Sequence, residues 1–217
     1  MIGASISADH GLTSAGRETA GVMREKPDTA GQREEVERPS YEEALAACRV
    51  LERLADFDAR AAGTPPLGLD MPGSDIDVLC CAPDAHAFAA ALWAAFSDTP
   101  GFTLTQWRDP PRPVVGTFDA AGWRIEVYGE AAPVERQRGW RHFAVERRLL
   151  ALGGPRFRCA VLDLRRRGWK TEPAVAAALG LPGDPYLALL DLGDRCDADL
   201  RAVLRAAGFA AISAHRR

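Results

Sequence analysis

A chain of 217 residues with 47% hydrophobic and 26% charged residues and a formal charge of −3 is ordinary globular material, long enough to bury roughly 70% of its unfolded surface without a metal or disulfide staple. That composition excludes collagen, a pure coiled coil and a wholly disordered chain, and with no run of eighteen apolar residues no transmembrane helix is expected. The beginning of the chain lacks the basic-then-apolar layout of a secretory signal, and five cysteines (Cys48, Cys80, Cys81, Cys159 and Cys196) without a CxxC pair read as free thiols of a cytoplasmic protein.

Residues 1–39 read as a disordered tail: Gly, Ser, Thr and Ala dominate first, and Arg24 to Arg38 mix acids and bases without apolar spacing, so the segment cannot offset its ordering entropy. Met23 is a second candidate start. Order is expected from Ser40, which can cap a helix with Glu43 three residues on. Ala47, Val50, Leu51, Leu54 and Phe57 then form one stripe of a helix of about 20 residues, ended by Ala61, Ala62 and Gly63. Residues 63–74 hold three glycines and three prolines and predict a loop. A strand over Ile76 to Ala82 follows, then a helix opened by Asp84 with Phe88, Ala91, Leu92, Ala95 and Phe96 on its buried side. Strands are predicted at Phe102 to Trp107, Val114 to Phe118 and Trp123 to Tyr128, the last two an antiparallel hairpin turning through Asp119 to Gly122.

Beyond Pro133 the pattern is helical. A helix over about 134–152 is broken by Gly153-Gly154-Pro155. A second runs to Arg167, and further helices start at Thr171, Asp184 and Asp197. The fold class is therefore α+β: a small mixed sheet flanked by helices over residues 40–132, with a helical region over 133–217.

Three carboxylates stand out. Asp75 and Asp77 lie two apart at the mouth of a strand, so period two sends both to one face. Like charges this close repel unless a cation lies between them, and Mg²⁺, or Mn²⁺ in its place, takes oxygen ligands of this kind. Glu126 is a charge in mid-strand, alternating with Ile125 and Val127. If its strand neighbours the first, it completes a metal-binding triad. An ordinary structural role, as cap, ion pair or solvated residue, is the competing reading of each.

The loop before the pair favours chemistry. Gly63 and Gly68 permit close backbone approach to an anion, and Thr64 and Ser74 can donate hydroxyl hydrogen bonds to phosphate. No GxxxxGK[ST] or dinucleotide fingerprint is present. The run Gly63-Thr64-Pro65-Pro66-Leu67-Gly68, then five residues, then Ser74-Asp75-Ile76-Asp77-Val78 resembles the signature of the polymerase-β-like nucleotidyltransferases. That resemblance implies a third carboxylate on a later strand, where Glu126 stands. Thr64 replaces the usual serine and keeps its hydroxyl, while Pro65 and Pro66 replace a polar, arginine-bearing link. The stretches Gly68 to Asp77, Pro133 to Gln137, Trp140-Arg141-His142, Glu146 to Leu150, Lys170-Thr171-Glu172-Pro173 and Gly183-Asp184-Pro185-Tyr186 resemble the DUF4269 family of bacterial proteins within that superfamily, over roughly residues 41–193.

Residues 136–170 carry ten arginines and one lysine against Glu146 and Asp163, a local excess of nine positive charges in a net acidic chain. Arg136, Arg138, Arg141, His142 and Lys170 are candidates to attract a triphosphate; a solvated helix face is the plain alternative. His142 and Glu146, four apart on one helix face, suit an acceptor-site or supporting role, or ordinary structural pairing. Trp140, beside Arg141 and His142, is either a core residue or a base-stacking one.

The leading expectation is metal-dependent transfer of a nucleoside monophosphate from an NTP to a hydroxyl acceptor, with Asp75, Asp77 and Glu126 as catalytic and metal residues and Gly63, Thr64, Gly68, Ser74, Arg136, Arg141 and Lys170 on the phosphates. The alternatives are a non-catalytic nucleotide- or protein-binding module on the same fold and an RNA-modifying transferase. Net charge does not favour a nucleic-acid partner, and no membrane partner is expected.

Overall fold

The computed structural model describes residues 38–209, so all of the expected tail except Arg38 and Pro39 lies outside the described residues, and the compact unit opens at Arg38. Ser40 caps the first helix, α1 (Tyr41–Cys48), in a complete capping box with Glu43, as its spacing predicts. The long helix expected here is interrupted. Arg49 takes a left-handed conformation (φ 55°), a short α2 (Val50–Arg53) follows, and a 3₁₀ turn at Ala55–Phe57 ends in left-handed Asp58. The chain then forms a strand, β1 (Arg60–Ala62), where a helix end was expected. Alanines favour helix, but the outer edge of the next strand needs backbone partners, and Ala62 is buried by providing them.

The remaining strands are β2 (Ile76–Cys81), β3 (Thr103–Gln106), β4 (Val114–Ala120) and β5 (Trp123–Glu130). The sheet order is β1-β2-β5-β4-β3, with β2 and β5 parallel and the other neighbours antiparallel. The predicted hairpin is β4–β5. Its two-residue turn, Ala121-Gly122, has positive φ at both positions, the geometry that matches strand twist.

Alternation along β2 and β5 separates two cores. Ile76, Val78 and Cys80 point with Ile125 and Val127 to one face, where α1, α2 and α3 (Ala85–Phe96) cover them. Asp84 caps α3 by accepting from the amides of His86 and Ala87. Phe88 lies so close to Gly129 that a side chain there would collide with its ring, and Phe96 stacks on Phe118 at 4.4 Å.

The opposite face presents Asp77, Leu79 and Cys81 beside Glu126 and Tyr128. Leu79 joins the core of the helical region, so β2 belongs to both cores. That region comprises α4 (Arg138–Arg166), α5 (Thr171–Leu179), α6 (Pro185–Gly193) and α7 (Asp197–Ala206). The expected break at Gly153-Gly154-Pro155 is a kink within α4, where Gly154 has φ 66° and ψ −164°. Gly153 packs against Phe157 and Leu204, leaving no room for a side chain. The α+β class, a small mixed sheet flanked by helices with a helical region after it, is as the sequence predicts. No helix among the described residues is long and apolar enough to cross a membrane.

Candidate active site

Asp77 and Glu126 are register partners on the parallel strands β2 and β5. In-register residues of neighbouring strands send their side chains to the same face, so the two carboxylates stand side by side on the face covered by the helical region. Asp75 precedes β2 and is exposed, near enough for its charge to act on both. Asp77 is pushed up to about 7, first by burial and then by the charges of Asp75, Glu126 and Glu172. Burial and Asp75 also raise Glu126, against a lowering by Arg124. Acids that hold each other's protons in this way favour a cation among them.

Gly63 lies directly against the Asp77 carboxylate. Its φ is +81°, and a Cβ placed on it would overlap the Asp77 carboxylate oxygen. Both conformation and space therefore demand glycine here. The loop beyond it consists of two tight turns. Thr64 accepts at its carbonyl from the amides of Leu67 and Leu69, each at 3.1 Å, and the Gly68 amide donates to Pro65 at 2.9 Å. Gly68 therefore ends a 3₁₀ turn in left-handed geometry, with its amide committed within the loop. The second turn, Met71 to Ser74, is closed by the Ser74 amide donating to the Met71 carbonyl at 2.9 Å; Pro72 and Gly73 (φ +85°) occupy its middle positions, the composition of a type II turn. Ser74 Oγ accepts from the Met71 amide at 2.8 Å, which leaves its own proton free to donate.

Three arginines hold this loop by its carbonyls. Arg158 donates to Leu67 and, at 3.3 Å, to Gly68. Arg165 donates to Leu69 at 3.4 Å. Arg38 reaches Met71 and Ser74 from the other side. The sequence carried no periodic signal for these long-range contacts, which join positions up to 96 residues apart.

The arginine-rich segment is largely committed to the fold. Arg141 pairs with Asp194 at 3.1 Å, Arg148 with Asp197 at 2.8 Å and Arg166 with Asp163 at 2.8 Å; with Arg158 and Arg165, half of the ten have protein partners. Arg136, Arg138 and Lys170 are exposed. The structure thus sets Asp77 and Glu126 in register with Gly63 against Asp77, leaves Asp75 exposed ahead of β2, and places Arg141 in an ion pair. Trp140 packs beside Phe143, with the Arg60 guanidinium 5.3 Å from its ring.

His142 and Glu146 are 3% and 4% exposed, buried beneath the first turns of α4 rather than at a surface. Burial, helped by Arg138 and Arg141, lowers His142 to about 4. Burial, then the charge of Glu172, raises Glu146 far above the usual carboxylate range. His142 is therefore neutral at pH 7, and neither His142 Nδ1 nor Glu146 Oε1 has a protein partner among the described residues. Glu172, in the first turn of α5, acts on Asp77, Glu146 and Tyr186 alike. The sequence offered it only as part of Lys170-Thr171-Glu172-Pro173, with no reason to set it beside a strand nearly a hundred residues earlier.

A family model for the domain of unknown function DUF4269 matches residues 43–192. The chain belongs to the DUF4269 family. The matched span of this DUF4269 protein includes Asp75, Asp77, Glu126, Glu146 and Glu172 and stops short of Arg38. No curated protein matches the chain. Among solved structures, the Cid1 poly(U) polymerase with MgGTP bound is similar at 15% identity and a TM-score of 0.45, over 67% of this chain and 46% of that one. The GLD-2/RNP-8 complex is similar at 9% identity and 0.44, over 64% and 54%. A cytoplasmic RNA terminal U-transferase is similar at 15% identity and 0.42, over 67% and 41%. The chain spans about half the length of these structures.

Proposed function

We propose that this DUF4269 protein transfers a nucleoside monophosphate from an NTP to a hydroxyl acceptor with the help of a divalent cation. The observation that carries the reading is the in-register pair Asp77–Glu126, with Asp75 at the strand mouth and glycine required against Asp77. The donor chemistry fits a hard cation: carboxylate oxygens within electrostatic reach of one another, one of them raised to about 7 by burial and then by its acidic neighbours. As the side chains stand, no three His, Cys, Asp or Glu among the described residues are grouped to hold a metal, so Asp75, Asp77 and Glu126 would draw in around the ion. When bound, the cation neutralises phosphate and leaving-group charge.

The chain's own residues supply the rest. Thr64 and Ser74 hydroxyls donate to phosphate oxygens, and Gly63 lets the phosphates approach the backbone. The acceptor oxygen bonds to the α-phosphorus, the bond from that phosphorus to the β-phosphate oxygen breaks, and pyrophosphate leaves. Glu126, its proton affinity raised by burial and Asp75, takes the hydroxyl proton on a carboxylate oxygen.

The test is Mn²⁺ and NTP binding, with pyrophosphate release over a panel of hydroxyl acceptors. Tight Mn²⁺ binding lost in Asp77→Asn, with release of pyrophosphate, is expected. Equal Mn²⁺ affinity in the two proteins would defeat the proposal. Binding without pyrophosphate release points instead to a non-catalytic nucleotide-binding module. A second reading, an RNA acceptor, is favoured by exposed Trp169 beside exposed Lys170 at the start of α5, a pairing of ring and cation suited to a base and its phosphate. It predicts RNA binding that weakens steeply with salt.

A further inference from the structure

We propose that Arg38 is a positioning residue for the proposed cation site, setting the loop that delivers Asp75 against the strand that carries Glu126. The inference rests on the reading of Asp75, Asp77 and Glu126 as that site. Arg38 precedes α1 and lies in a stretch whose composition reads as tail, yet its guanidinium makes the densest set of contacts to the loop. Its Nη1 donates to the Ser74 carbonyl at 3.2 Å. Its Nη2 donates to the Asp70 carboxylate at 3.0 Å and to the Met71 carbonyl at 3.3 Å.

Met71 and Ser74 are the first and last residues of the type II turn, so one planar group spans the turn from end to end. The Ser74 carbonyl belongs to the peptide unit that leads into Asp75. Fixing that carbonyl fixes the plane from which the Asp75 side chain departs.

The other side of the same guanidinium rests on Trp123, 3.5 Å from the ring centre. Trp123 opens β5, three residues before Glu126, and is 4% exposed. Its indole N–H donates to the Pro39 carbonyl at 2.9 Å, which holds the backbone next to Arg38 in place. Arg38 therefore ties the loop bearing Asp75 to the strand bearing Glu126, two parts of the chain with no sequence proximity. Only arginine offers a flat, forked donor that bonds at two carbonyls and a carboxylate while stacking on an indole. A lysine keeps the charge opposite Asp70 and loses the fork.

A residue that merely fastens the start of the chain would change melting temperature without changing cation affinity in the folded protein. The experiment therefore compares the full chain with Arg38→Ala and Arg38→Lys, and with Asp77→Asn as the control for the site. Mn²⁺ affinity is read by electron paramagnetic resonance well below the melting temperature, alongside amide hydrogen exchange over residues 70–76. The expected result for Arg38→Ala is faster exchange at those amides and a Kd for Mn²⁺ weaker by about tenfold, the scale of losing charge-assisted contacts. Arg38→Lys remains folded through its pairing with Asp70 and shows the same two changes to a smaller degree.

Unchanged exchange over 70–76 in both variants overturns the proposal. So does faster exchange with unchanged Mn²⁺ affinity, which makes Arg38 a fastener only. If the wild-type chain takes up no Mn²⁺, or Asp77→Asn takes it up equally, the cation site itself is wrong and the role of Arg38 falls with it.

Discussion

Replacing Asp77 by asparagine should make the protein more stable at pH 8 while removing its capacity to hold a cation. Asp77 sits at about 7 in the fold against 3.8 for a free aspartate, so the unfolded chain releases this proton first as pH rises. Stability is therefore full at pH 4, falls between pH 4 and 7, and stays lowered above that range. A displacement of roughly 3 units corresponds to about 4 kcal/mol at 1.36 kcal/mol per unit. Asparagine keeps the shape, carries no charge at any pH, and escapes the cost. In buffer with a chelator, Asp77→Asn should gain up to about 4 kcal/mol over wild type at pH 8, roughly 8–16 °C in melting temperature for a chain of this size, and almost nothing at pH 4. Urea unfolding followed by tryptophan fluorescence at the two pH values measures both quantities. Adding Mg²⁺ or Mn²⁺ at pH 8 should then raise the wild type toward the variant and leave the variant unmoved, because only the native wild type binds. A variant no more stable than wild type at pH 8, or one with the same advantage at pH 4, would refute the electrostatic account of this site.

Three further outcomes are expected. Gly63→Ala forces a Cβ into the Asp77 carboxylate at a positive φ, and should lose about 1–3 kcal/mol of stability together with Mn²⁺ binding; calorimetry reads both. His142 sits at about 4 in the fold against 6.5 when free, so the unfolded chain binds its proton first on acidification and stability should decline by about 3 kcal/mol between pH 6.5 and 4; His142→Gln should flatten that limb in urea titrations. Gly129→Ala drives a methyl group into the Phe88 ring and should cost about 1–3 kcal/mol of overpacking, which the paired change Phe88→Leu should partly restore.

Some of this was legible because local chemistry and tertiary outcome agree. Ser40 with Glu43, Asp84 before α3, and the turn between β4 and β5 follow from short-range rules that the fold leaves intact. Glu126 was legible as a candidate through its place between Ile125 and Val127 on a strand after the Asp75–Asp77 pair, a pattern that a solvated face of a half-buried strand shares. Its partnership with Asp77 depended on β2 and β5 being neighbours, and the parallel register supplies that. The failures have the opposite cause. Residues 59–62 favour helix locally, yet β1 exists because β2 has an unpaired edge. The basic segment looked like an open field of charge, but Arg141, Arg148 and Arg166 are answered by Asp194, Asp197 and Asp163. Arg38 was indistinguishable from its tail because everything that orders it, Trp123, Asp70 and the turn at Met71 to Ser74, lies more than thirty residues away.

The kink at Gly154 has a mechanical corollary. Arg158 lies one turn past it, and its grip on the Leu67 and Gly68 carbonyls depends on the direction in which the second half of α4 leaves the bend. The helix thus works as a bracket of fixed angle, one arm laid on Leu79 and its neighbours, the other reaching back to the glycine turn. A residue inserted between Gly154 and Arg158 would rotate that second arm by about 100° and swing the guanidinium away from the turn, leaving both halves of the bracket helical but no longer aimed at the same place.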